Sequence, residues 1–144
     1  MTSTDPPVHL DPLPTPRYNA SVEPTVADMR RFLERKVAAR QARIDALYAQ
    51  ACADFDAIVD MIVREARPRR IVQWGSLLRP ERFRPYSDID VALEGVSDPA
   101  LLSRICGLAE ELTRFPVDIV QLERIEPEFR ESIEANGRVV YERP

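Results

Sequence analysis

The residues best suited to chemistry in this sequence are carboxylates. Asp88 and Asp90 flank Ile89 in a run, Asp88 to Leu93, that alternates polar and apolar residues. Alternation at period two is a strand pattern. It sends both carboxylates to one face and Ile89, Val91 and Leu93 to the other, toward a core. Two carboxylates side by side repel each other and resist desolvation, so they need solvent, basic neighbours, a shared proton or a bound cation. A hard cation such as Mg²⁺ takes oxygen ligands, commonly one or two carboxylates together with substrate phosphates. A solvent-facing strand with two inert aspartates explains the pair equally well, and Asp118 tilts the choice. It lies inside an otherwise apolar run, Phe115-Pro116-Val117-Asp118-Ile119-Val120, where a charge is costly unless it is paired or coordinates a metal. On a neighbouring strand it would complete a two-metal site, in which one ion activates an attacking hydroxyl and the other holds a triphosphate and its leaving group. The competing reading is an aspartate that caps a loop at a strand end.

Gly75-Ser76 adds a second component. A glycine after a strand lets the backbone approach a phosphate closely, and a helical turn following it would present N–H groups to an anion. The pair is a weak signal alone; its value is its place, one strand ahead of the aspartates. Arg79, Arg82 and Arg84 lie between the two elements. The planar fork of arginine suits phosphate oxygens. Arg79 is the candidate, with Arg82 and Arg84 read as an ordinary solvated basic loop.

The elements that must position these residues follow from periodicity. Thr25, preceded by Pro24 and followed three residues on by Asp28, reads as a helix start of the capping-box kind. From Met29 through Phe32, Leu33, Val37, Ile44, Leu47, Tyr48, Ala51, Phe55, Ile58, Val59, Ile62 and Val63 the apolar residues recur every three or four positions, one face of a helix. No glycine or proline intervenes before Pro68. A helix of about 40 residues would be about 60 Å long, so it either bends or folds back near residue 40, or its first half reaches a partner or a second copy of the chain. Strand patterns follow at 70–74, 88–93, 117–122 and 139–141. Helical patterns cover 98–113 and 127–135, the latter stopping at Asn136-Gly137. The order predicts an α/β (α+β) fold, a small mixed sheet of about four strands flanked by helices, behind a long N-terminal helix. We divide the chain into a Pro-rich tail, 1–24, a helical region, 25–66, and a core, 67–144.

Composition sets the frame. The net charge of -4 does not advertise nucleic-acid binding, although residues 28 to 43 hold six basic side chains against two acidic ones. The tail carries six of the 13 prolines and the only histidine, His9; it has too little apolar surface to offset its ordering entropy, and His9 reads as solvated. Cys52 and Cys106 have no zinc-ligand spacing and read as reduced core residues. Neither a membrane span nor a signal peptide is legible, so the expected compartment is the cytoplasm.

Taken together, Ile71-Val72-Gln73-Trp74-Gly75-Ser76, the 11 residues that follow, then Asp88-Ile89-Asp90 and finally Val117-Asp118-Ile119-Val120 resemble the polymerase-beta-like nucleotidyltransferases, above all their minimal prokaryotic branch, the MNT proteins. The resemblance covers about residues 55 to 142. It implies the nucleotidyltransferase fold, with Asp88 and Asp90 as ligands of two Mg²⁺ ions and Asp118 as a ligand of the catalytic ion nearest the nucleophile. It implies Gly75 and Ser76 as the triphosphate cradle, and Arg79 as the basic position of a Gly-Ser-x-x-Arg-Gly pattern. Pro80 stands where that pattern has its last glycine, which removes a donor and stiffens the turn. The resemblance further implies transfer of AMP from ATP to a hydroxyl, the chain serving as the antitoxin of a separate HEPN-type toxin. A non-catalytic partner-binding antitoxin and a small-molecule modifier of the aminoglycoside type are the alternatives. The Arg-to-His signature of HEPN toxins is absent from this chain.

Overall fold

The computed structural model describes residues 23–144; the calls made above on the proline-rich tail and His9 lie outside the described residues, apart from Glu23 and Pro24. The chain divides into two units with the boundary between Arg35 and Lys36.

In the first unit the chain enters helix α1, Val26–Ala66. The capping box forms as read: Thr25 N–H donates to Asp28 Oδ2 at 3.0 Å and Asp28 N–H to Thr25 Oγ1 at 3.1 Å. The Thr25 hydroxyl, donating to Asp28 Oδ2 at 2.7 Å, and then the Thr25 N–H hold the Asp28 carboxyl below its usual range. Val26, Met29, Phe32 and Leu33 are exposed. α1 is one continuous helix of 41 residues, so no hairpin forms near residue 40. It ends where Arg67 takes a positive φ of 45° and donates its N–H to Val63 O, followed by Pro68, which cannot continue a helix.

The second unit is a four-stranded sheet in the order β3-β2-β1-β4. Its strands are β1 (Arg70–Trp74), β2 (Ile89–Glu94), β3 (Val117–Gln121) and β4 (Arg138–Glu142). β1 runs antiparallel to both β2 and β4, and β2 runs parallel to β3. The sheet is therefore mixed, as expected. The parallel pair needs a crossover, supplied by α2 (Pro99–Leu112), whose first turn is capped by Asp98 accepting from Ala100 N–H. The period of two sorts the side chains. Ile71, Ile89, Val91 and Leu93 join Phe55, Ile58 and Ile62 of α1 and Ile105 of α2 in the main core. Val72, Ala92 and Leu122 pack on the opposite face with Ile133 of α3 (Pro127–Asn136). The predicted apolar face of α1 is thus used from Ile44 onward, while Val37 stands exposed. Cys52 and Cys106 are free thiols but only half-buried. Among the described residues no helix is long and apolar enough to cross a membrane.

Candidate active site

The acidic residues gather at one end of the face that α3 covers. Asp90 is the second residue of β2, and the parallel register sets it directly beside Asp118 of β3. The antiparallel register sets it beside Trp74, the last residue of β1. Asp88 lies just ahead of β2 rather than inside it. Asp88 and Asp118 are exposed and Asp90 is half-buried. Burial, with Asp118 and then Asp88 adding negative charge, pushes the Asp90 carboxyl up to about 7. No ion pair or hydrogen bond among the described residues compensates the three carboxylates.

Gly75 explains how Asp90 fits. Its φ of 84° is open only to glycine at low cost. A Cβ built there would collide with Asp90 Oδ2 and crowd Asp90 Cγ. The β1 exit therefore forms a backbone surface against which the carboxylate lies, as the sequence suggested for a phosphate and as the structure shows for Asp90. Ser76–Leu78 follows as a single 3-10 turn. Three residues generate little dipole, so the turn by itself is a weak attractor of anions. Pro80 opens a second 3-10 turn, Pro80–Arg82, a position where its fixed φ is favourable and its missing donor costs nothing.

Gly75, Ser76 and Arg79 line one cleft of about 600 Å³, closed on its far side by α3 through Phe129, Ile133 and Asn136. That volume is ordinary for a small-molecule site. Sequence reasoning missed two contributors. Arg82, set aside as a solvated loop residue, lines the cleft beside Arg79; Arg84, set aside with it, instead ties its guanidinium to the carbonyls of Glu81 and Phe83. Trp74 forms a wall with Phe129, ring centroids 5.2 Å apart and edge to face at 86°. The Trp-Gly-Ser order was visible, but nothing in the sequence paired Trp74 with a helix more than 50 residues away. A larger groove of about 850 Å³ runs past Arg43, Asp54, Glu111 and Arg114. Neither cavity is lined by the three aspartates, but the first reaches Asp90 through Gly75, whereas the one buried carboxylate of the larger groove, Asp54, already accepts from Gln50 and Thr113.

Among the described residues no three His, Cys, Asp or Glu side chains close around a point as a metal cage. Aspartates aligned side by side on adjacent strands form an open shelf instead. Mg²⁺ is commonly held that way, by one or two carboxylates with the rest of its shell from water and substrate phosphate. The donor set is all oxygen and carries no ion pair or hydrogen bond among the described residues, and Gly75, which Asp90 abuts, also lines the cleft of Arg79 and Arg82, so the residues fit such an ion.

A mixed sheet with paired aspartates beside a Gly-Ser turn defines the class, and the comparisons agree. The family model described as "Polymerase beta, Nucleotidyltransferase" matches residues 56–144, and the chain belongs to that family. Among solved structures, one described as a minimal nucleotidyltransferase is 27% identical, with a TM-score of 0.50, over 63% of this chain and 93% of that one. A crystal structure of a toxin-antitoxin with AMP-PNP has a TM-score of 0.51 at 19% identity, over 60% of this chain and 73% of that one; at that identity the likeness is one of fold. No curated protein matches the sequence significantly.

Proposed function

We propose that the chain is a Mg²⁺-dependent nucleotidyltransferase that moves AMP from ATP to a hydroxyl of a partner protein. The observation that carries this reading is the register of Asp90 with Asp118, uncompensated and beside the Gly75-Ser76 turn, in a chain of this family. In this reading Asp88, Asp90 and Asp118 hold two Mg²⁺ ions, which when bound neutralise the triphosphate and lower the pKa of the acceptor hydroxyl. Ser76 offers a hydroxyl donor, and Arg79 and Arg82 a pair of guanidinium groups, to the phosphates. In this reading Asp118, exposed as Asp88 is, is the carboxylate nearest an incoming acceptor. The new bond joins the acceptor oxygen to the α-phosphorus as the bond to the β-phosphate oxygen breaks; pyrophosphate leaves, and the acceptor proton passes to solvent. The work of the protein is positioning and charge neutralisation.

A protein acceptor is favoured because the chain carries exposed apolar residues on a basic helix segment, Val26, Met29, Leu33 and Val37. A toxin-antitoxin structure is also among its structural neighbours; by analogy the partner is a HEPN-type toxin. The same exposed residues favour a second reading, a binding module that neutralises its partner by contact alone.

Incubation with Mg²⁺ and α-labelled ATP, with and without the product of the adjacent gene, separates the two. Label on the partner, lost in Asp118→Ala, supports the transferase. Tight complex formation with no transfer from any of the four nucleotides, in Mg²⁺ or Mn²⁺, sinks it and leaves the binding module.

A further inference from the structure

The proposed transferase chemistry uses only one end of the cleft. Ser76, Arg79 and Arg82 bring its polar groups together near the β1 exit, while Trp74 and Phe129 supply an aromatic wall between that exit and α3. Phe129 leaves more than a third of its surface exposed, although a phenyl ring on a helix that already packs Ile133 into the core could have been buried or replaced by a polar residue. An exposed ring beside a second aromatic is a platform for a planar group. The indole N–H of Trp74 is the second observation. It is enclosed, and it is the buried side-chain donor among the described residues that has no hydrogen-bond partner. A buried donor without an acceptor carries its full desolvation cost, which a ligand acceptor reaching it would recover. That atom is closed off, so an acceptor reaches it only when the wall it shares with Phe129 shifts.

We propose that the nucleoside end of the donor nucleotide lies in this part of the cleft, its base against the Trp74–Phe129 wall and one of its acceptors taking the indole N–H. The assignment rests on the nucleotidyltransferase reading and deepens it by giving the donor a direction. The triphosphate lies toward Arg79 and Arg82, the α-phosphate at the Asp90 shelf that Gly75 abuts, and the base toward α3. The open side, at exposed Asp88 and Asp118, is left to the acceptor.

The chain provides its own probe, because Trp74 is its single tryptophan. Full-length protein is titrated with ATP in Mg²⁺ while Trp74 emission is followed, and binding is measured in parallel by equilibrium dialysis. The expected result is a saturable emission change whose midpoint matches the dialysis. Adenosine reproduces it at higher concentration. Inorganic tripolyphosphate competes with ATP but leaves the emission unchanged. Phe129→Ala weakens ATP roughly tenfold, the scale of one lost aromatic stacking contact, without weakening tripolyphosphate. ATP bound by dialysis with unmoved emission, or wild-type affinity in folded Phe129→Ala, overturns the assignment and leaves the transferase reading standing. Absence of any nucleotide or tripolyphosphate binding overturns both. The wild-type comparison of adenosine with tripolyphosphate decides the question even if the variant does not fold.

Discussion

Strand β2 carries an acidic side chain near each end of one face, and the two are treated in opposite ways. Glu94, 12% exposed, meets Arg70 at 2.7 Å, Arg130 at 3.4 Å and Arg69 at 3.8 Å. Arg70 and Arg130 extend the network to Glu134 at 2.6 and 3.5 Å. Asp90, four residues earlier on the same strand, has no ion pair or hydrogen bond among the described residues, and burial, with Asp118 and then Asp88, pushes its carboxyl up to about 7. Burying a carboxylate demands compensation. At one end the fold supplies it from arginines on β1 and α3. At the other it withholds it, which leaves the charge to a proton or to a cation from solution. The contrast supports the proposal that Asp90 is reserved for a ligand more directly than its acidity alone.

The contrast can be broken at several points. Asp118→Ala or Asp90→Ala should lower nucleotidyl transfer on the order of 100- to 1,000-fold, the range seen when one preorganised charge-stabilising group is lost, with the fold retained by circular dichroism. Gly75→Ala should come next, combining a disfavoured φ with a collision at Asp90; we expect a loss of about 3 kcal/mol in urea unfolding. Glu94→Gln leaves Arg70 and Arg130 underpaired and should cost about 2 kcal/mol, with little effect on nucleotide binding; an equal fall in both would mean the two ends of β2 are not separate. The last effect has the opposite sign. A folded-state pKa raised above the unfolded value stabilises below about pH 4 and loses that stabilisation as pH rises through about 7. Cation-free protein should therefore weaken across that window. Asp90→Asn should flatten the decline, and it should be the more stable protein at the upper end.

Much of this is legible in the sequence. The period of two around Ile89 placed Asp90 opposite Ile89, Val91 and Leu93 as the structure has them, because a strand with one covered face leaves a regular trace, while Asp88 falls just ahead of the strand rather than inside it. The isolation of Asp118 in an apolar run marked it, and its strand formed where the run lies, Val117–Gln121. What the sequence could not reveal was register. That Asp118 stands opposite Asp90, and not one residue to either side, depends on how α2 returns the chain. Nor could it separate Arg82 from Arg84, two residues apart in one loop; the second 3-10 turn, started by Pro80, sends one to the cleft and the other to local carbonyls. The roles of Trp74 and Glu94 arise from contacts with α3, and long-range contacts leave no local pattern. The continuity of α1 past residue 40 was open for a different reason: helical periodicity is the same in one helix as in two antiparallel ones.

The strand order carries a consequence for how the acidic shelf behaves. Asp118 lies on β3, a border of the sheet with a single neighbour, whereas Asp90 lies on β2, hydrogen-bonded on both sides. Border strands open at lower free energy than interior ones, so the shelf spans a seam between a yielding half and a secure half. Any cation that bridges the two aspartates works as a rivet across that seam. By thermodynamic linkage, its affinity is reduced by whatever energy is needed to keep β3 closed, and its presence in turn protects the amides of β3 from exchange.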